Sequence, residues 1–185
     1  MKSKVMKWTL IGLVSAYLFV ITFGAVVVLH ILCEKHVDYR RVYDAAEAGL
    51  PAPDTLSLLT SDGCRIQTLE ITPEAAPKGV IICLTGIENP SVTAYYGHVR
   101  SFRSLGLVSL LTEVRGHGAS DGERICLAYQ ETADVKAVTD YIKSRYPGLP
   151  VIVMGLSMGA AVAIRSIAEN GDIDALISLS AFSSL

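Results

Sequence analysis

The residues most able to do chemistry stand at Gly155-Leu156-Ser157-Met158-Gly159. This Gly-x-Ser-x-Gly run follows the apolar stretch Val151–Met154 and precedes a helix-forming stretch that runs to Glu169. A serine at the apex of a sharp strand-to-helix turn projects its hydroxyl from the carboxyl edge of a sheet, where it can attack a carbonyl carbon. Gly155 and Gly159 carry no side chain to collide at so tight a corner. The helix that opens at Met158 turns its free N–H groups, and the positive end of its dipole, toward a developing oxyanion. A second oxyanion donor is expected from the loop Leu84-Thr85-Gly86-Ile87-Glu88-Asn89-Pro90, where Gly86 permits a close backbone approach and Ile87 supplies the N–H. The competing reading of this loop is an ordinary strand-to-helix connection. All four histidines precede the serine, and two of them, His98 and His117, stand in the strand-and-helix part of the chain around it. His117, in the glycine-rich run Arg115–Glu123, reads better as a loop histidine that holds neighbouring backbone than as a base, and His98 reads as a surface residue.

The elements that must position these groups follow from patterning. Leu56–Ser61 and Cys64–Ile71 flank Asp62-Gly63, a two-residue hairpin signal. Gly79–Leu84, Leu107–Thr112 and Val151–Met154 are short apolar runs of the kind buried on both faces of a parallel sheet, and Ala175–Leu179 is a last strand. Helices are expected over 93–105, over 129–146, where Val135, Val138 and Ile142 share one face, and over 157–169. Strand–helix alternation from residue 79 onward predicts an α/β fold, a mostly parallel sheet with helices on both faces, made mixed by the opening hairpin.

Three pieces of the sequence, RGHGASDGE at 115–123, YPGLPVIVMGLSMGAAVAI at 146–164 and LISLSAFSS at 176–184, resemble the α/β-hydrolase superfamily, in particular its monoacylglycerol lipase, lysophospholipase and serine-aminopeptidase-like group. The resemblance spans residues 79–184, the first six strands of an eight-stranded fold. It implies a serine hydrolase with Ser157 as nucleophile, the Met158 and Ile87 N–H groups as oxyanion hole, an acyl-enzyme intermediate and no cofactor. It departs from the group at Thr85, where many members have His, and at Leu156 and Ala160 around the serine; no reacting group is lost by these changes.

The triad order in this fold is serine, then acid, then histidine. After Ser157 the chain holds only Glu169, Asp172 and Asp174 as acids, on the connection into the last strand, and no histidine. No triad acid or histidine is therefore assigned within the 185 residues, and the chain is expected to be a C-terminally truncated piece of a longer protein. A serine hydroxyl without a base is a poor nucleophile at neutral pH. Two other functions stay open: a non-catalytic α/β-hydrolase-like binding module, and an acyltransferase using the same serine.

Trp8–Leu32 contains no Asp, Glu, Lys or Arg. A helix of that length rises about 37 Å, enough to cross a hydrocarbon core of about 30 Å. The run is too long for the apolar region of a cleaved signal peptide. Residues 1–33 are thus expected to be an uncleaved single-pass anchor, 34–54 a juxtamembrane linker with a short helix over 39–48, and 55–185 an incomplete hydrolase domain. Lys2, Lys4 and Lys7 before the helix favour an extracytoplasmic domain, although Lys35, Arg40 and Arg41 follow it closely.

The composition, 51% hydrophobic and 18% charged with net charge −2, excludes a disordered chain and lacks the basic excess of a nucleic-acid binder. Cys33, Cys64, Cys83 and Cys126 have no metal-ligand spacing, so no metal site is expected. The partners implied are a small-molecule or lipid ester or amide substrate and the membrane.

Overall fold

The computed structural model describes residues 2–33, 36–87 and 89–182. They form two units, residues 1–35 and 36–185. The first is one helix, α1 (Lys2–Cys33). Within it Met6–His30 is long and apolar enough to cross a membrane, with no residue buried against protein. Apolar side chains all round a helix with nothing packed on them suit a lipid environment.

The second unit is built on a six-stranded sheet. Its strands are β1 (Asp54–Leu59), β2 (Arg65–Ile71), β3 (Gly79–Leu84), β4 (Leu107–Glu113), β5 (Val151–Leu156) and β6 (Ala175–Leu179). They lie in the order β1-β2-β4-β3-β5-β6. β1–β2 and β2–β4 pair antiparallel, and β4–β3, β3–β5 and β5–β6 parallel. The expected mixed α/β sheet is therefore present.

The all-apolar sequence of β3 has a direct cause, because every residue of this strand is buried. Val80, Ile82 and Leu84 face a core closed by α3 (Glu131–Arg145) and α4 (Met158–Glu169) through Val135, Val138, Ile142, Met158 and Val162. Ile81 and Cys83 face the other side, closed by α2 (Tyr96–Ser104) and the 3₁₀ turn before it through Val92, Tyr95, Tyr96 and Val99. Alternate residues of one strand thus feed two cores, as the period of two requires. By contrast, Ile177 and Leu179 of β6 are exposed.

Three expectations about local structure need correction. Residues 39–48 form no helix. Asp44 Oδ1 accepts the Ala46 N–H at 2.6 Å and the chain turns at 45–49, because an Asp side chain competes for backbone donors. Nor do the described residues of 36–50 behave as a free linker: Ala45 and Leu50 are buried in the second core, beside Ile71 and Tyr95. The third helix starts at Glu131 rather than 129, because Tyr129 closes a turn, its N–H donating to the Cys126 carbonyl at 3.0 Å, and Gln130 is the residue that caps the helix. Glu34 and Lys35 of the expected linker, and Ser183 and Ser184 of the last resembling segment, lie outside the described residues.

Candidate active site

Ser157 sits between β5 and α4 with φ 54° and ψ −114°, a left-side backbone conformation that a non-glycine residue adopts only when its surroundings impose it. The surroundings are visible in the glycines. A Cβ on Gly155 would collide with the carbonyl oxygen of Gly159, and a Cβ on Gly159 would collide with the Leu84 carbonyl oxygen and stand 2.6 Å from that of Thr85. Both glycines are therefore required by close approach of backbone to backbone, not by their own φ. The Ser157 N–H donates to the Leu179 carbonyl at 2.9 Å, so the end of β6 holds the turn from the other side. The Ser157 carbonyl accepts from Ala160 and Ala161, each at 3.1 Å, and starts α4. The side chain itself is left exposed.

The loop after β3 lies against this turn. A Cβ on Gly86 would stand 3.1 Å from Ser157 Cβ and 3.7 Å from its Oγ. Ile87 follows at once, half-buried against the first core. Among the described residues neither the Ile87 nor the Met158 N–H donates a hydrogen bond. Tyr95, buried, donates its hydroxyl to the Leu84 carbonyl at 2.9 Å and holds the root of this loop.

The loop after β4 is held differently. Arg115 donates from Nε and Nη2 to Asp134 Oδ1 at 2.9 and 2.6 Å, and from Nη1 to Asp62 Oδ2 at 2.6 Å. The Arg115 N–H also donates to Asp134 Oδ2 at 2.8 Å. One guanidinium thereby ties the loop to α3 and to the tip of the β1–β2 hairpin, and it holds the Asp62 carboxyl well below the usual carboxylate range. His117, 1% exposed, lies 3.2 Å through Nδ1 from the Arg115 carbonyl, and its Nε2 has no partner among the described residues. Burial pushes its pKa down, toward a neutral ring.

The family model described as serine aminopeptidase, S33, matches residues 75–185. The chain belongs to this family. The S33 chain is 33% identical over 122 residues to monoglyceride lipase of Homo sapiens, covering 65% of itself and 40% of that protein. It is 32% identical over 103 residues to monoacylglycerol lipase of Mycolicibacterium smegmatis, covering 54% and 36%. Among solved structures it is similar to an esterase of Pyrococcus furiosus, with TM-score 0.68, 26% identity, and coverage of 80% of this chain and 58% of that one. The chain thus spans about two fifths of the length of the curated relatives that it matches. These likenesses place it in the α/β-hydrolase superfamily; the matched relatives are themselves named as lipases and an esterase.

Within this S33 chain the serine, both glycines of its turn, Met158 and Gly86 come together at one corner, with Ile87 next in the chain after Gly86. The acids after Ser157 do not join them. Asp174 Oδ2 accepts the Val151 N–H at the opposite end of β5, Asp172 pairs with Lys143, and Glu169 pairs with Arg165. His98 is exposed on α2, its ring 5.8 Å from that of Tyr95. Sequence reading missed Tyr95 and the Arg115–Asp134 pair. A lone tyrosine eleven residues beyond its acceptor carries no motif, and Asp134 shares the buried face of α3 with Glu131 and Thr139 as well as Val135 and Val138, so no pattern singles it out.

Proposed function

We propose that this chain is the nucleophile-bearing part of a membrane-anchored serine hydrolase that cleaves carboxylic esters of small acyl lipids, monoacylglycerols first among them. The observation that carries the reading is the strained, exposed Ser157 wedged between Gly86 and the glycines of its own turn. In this reading Ser157 Oγ attacks the ester carbon and its proton passes to a base. The carbonyl oxygen, now an oxyanion, takes the N–H groups of Met158 and Ile87. The alcohol leaves as the tetrahedral intermediate collapses to an acyl-enzyme, which water then hydrolyses by the same steps. Among the described residues, no base or orienting acid is brought to Ser157. His36 and His117 are bonded to loop carbonyls, and His98 meets the Tyr95 ring edge to face. Met6–His30 serves as a single-pass anchor, which its length and mean hydropathy of 2.4 support, and the hydrolase unit lies on the extracytoplasmic side, the side that Lys2, Lys4 and Lys7 before the helix favour. The names of the matched lipases favour an ester over a peptide bond.

The test is hydrolysis by carbonate-washed membranes that carry the native gene product. The reading expects release of fatty acid from a monoacylglycerol and little cleavage of an aminoacyl anilide, with the activity lost in Ser157→Ala. Preferred cleavage of the anilide would overturn the substrate class. Activity in the supernatant would overturn the anchor, and full activity in Ser157→Ala would overturn the nucleophile.

A further inference from the structure

The segment that follows the apolar helix makes an unusual set of contacts. His36 Nδ1 lies 2.8 Å from the Gly122 carbonyl oxygen and His36 Nε2 lies 2.8 Å from the Gly118 carbonyl oxygen. A carbonyl only accepts, so each ring nitrogen must donate, and a neutral imidazole has a single N–H. The geometry is satisfied only by the imidazolium. Next to it, the Val37 N–H donates to the Gly116 carbonyl at 2.7 Å and the Gly118 N–H to the Val37 carbonyl at 3.0 Å. Farther along, the Arg41 N–H reaches the Pro90 carbonyl at 3.4 Å and the Tyr43 N–H donates to Thr93 Oγ1 at 2.9 Å. Residues 36–43 therefore cross first the loop after β4 and then the segment after β3 that contains Gly86 and Ile87.

We propose that residues 36–43 are a strap tying down these two loops, and that His36, as an imidazolium, is its latch. Losing the proton removes one donor and sets a lone pair against a carbonyl oxygen at 2.8 Å, so the first crossing opens. The surrounding charges favour the closed state. Asp38 on the strap and Glu113 at the end of β4 both attract the cation. His117, whose pKa burial lowers, faces it as a neutral ring, and the Asp121 carboxylate is turned to the Arg65 N–H. The Gly122 carbonyl, then those of Gly118 and the two carboxylates, hold the His36 pKa above its ordinary value against the cost of burial. A raised pKa in the folded state means that the latch is fully present below the ordinary histidine value and is lost as pH rises through the raised one.

The test is amide hydrogen exchange of the full chain in detergent from about pH 5 to about pH 9, corrected for intrinsic rates, with His36→Gln and His36→Arg as variants. In the unaltered chain, protection of the Val37 and Gly118 amides should fall about tenfold or more across the His36 titration, the scale of hydrogen bonds to a charged group. Amides of β3 and β5 should not change. His36→Arg, a permanent cation with several donors, should keep both amides protected over the whole range. His36→Gln should leave them unprotected at every pH. Three results would overturn the latch: flat protection in the unaltered chain, the same pH-dependent loss in His36→Arg, or the same loss in His36→Gln, which would assign the titration to Glu113 or His117. If His36→Gln fails to fold, the unaltered chain and His36→Arg still decide the matter between them.

Discussion

Two corners at the carboxyl edge of the same sheet use glycine for opposite ends. At the β5–α4 corner, Gly155 and Gly159 have ordinary φ and are required by contact, since any Cβ would strike a carbonyl oxygen. The one residue there with a positive φ is Ser157, and its side chain is exposed. In the loop after β4, Gly116, Gly118 and Gly122 themselves take the positive φ values, 72°, 57° and 104°. Three polar residues among them, Arg115, His117 and Ser120, are buried, while Asp121 and Glu123 beside Gly122 are exposed. The first corner concentrates strain on the residue that it presents. The second spreads the turning over glycines and buries three polar groups as anchors. A glycine-rich loop with a histidine is therefore not by itself a reacting site; what separates the two corners is where the strain falls and which side chain is left open.

This contrast can be broken by substitution, and the largest effect is expected at the anchor. Arg115→Ala leaves Asp134, fully buried, without its cation, and should cost about 3–5 kcal/mol of stability in chemical unfolding. Residual folded protein should keep its reactive serine. Gly159→Ala drives a methyl group into the Leu84 and Thr85 carbonyls. It should cost about 3 kcal/mol and, unlike Arg115→Ala, slow acylation of the fraction that remains folded. Equal loss of serine reactivity per folded molecule in the two variants would erase the distinction. The smallest effect belongs to Tyr95→Phe, which removes one buried hydroxyl donor from the Leu84 carbonyl. A loss of about 1 kcal/mol is expected in thermal unfolding, with slower acylation because the loop carrying Ile87 is less firmly held.

Most of the scaffold was legible because it rests on side-chain pattern. β3 and β6 begin and end at the residues that the apolar runs mark, whereas the hairpin closes on Thr60 and Cys64, its N–H to carbonyl bond 2.9 Å, so it turns through Ser61-Asp62-Gly63 rather than through a two-residue Asp62-Gly63 link. The Gly-x-Ser-x-Gly corner was legible because its glycines answer a steric demand that no other residue meets. The strap was not. Its ties at Val37, Arg41 and Tyr43 are made by main-chain N–H groups, which almost any residue offers, and the two acceptors of His36 are carbonyls more than eighty residues away. The Arg115–Asp134–Asp62 anchor joins three elements by pairings whose partners stand nineteen and fifty-three residues from the arginine, so the ion pair was visible only once the sheet had been assembled.

The central claim is that Ser157 is the nucleophile, and it is tested most directly by peptide mapping. Membranes carrying the native gene product are treated with a fluorophosphonate, digested, and the modified residue located by tandem mass spectrometry. The account predicts one adduct, on Ser157, formed several orders of magnitude faster than on any other serine. An adduct on a different serine, with the peptide containing Ser157 recovered unmodified, would contradict it.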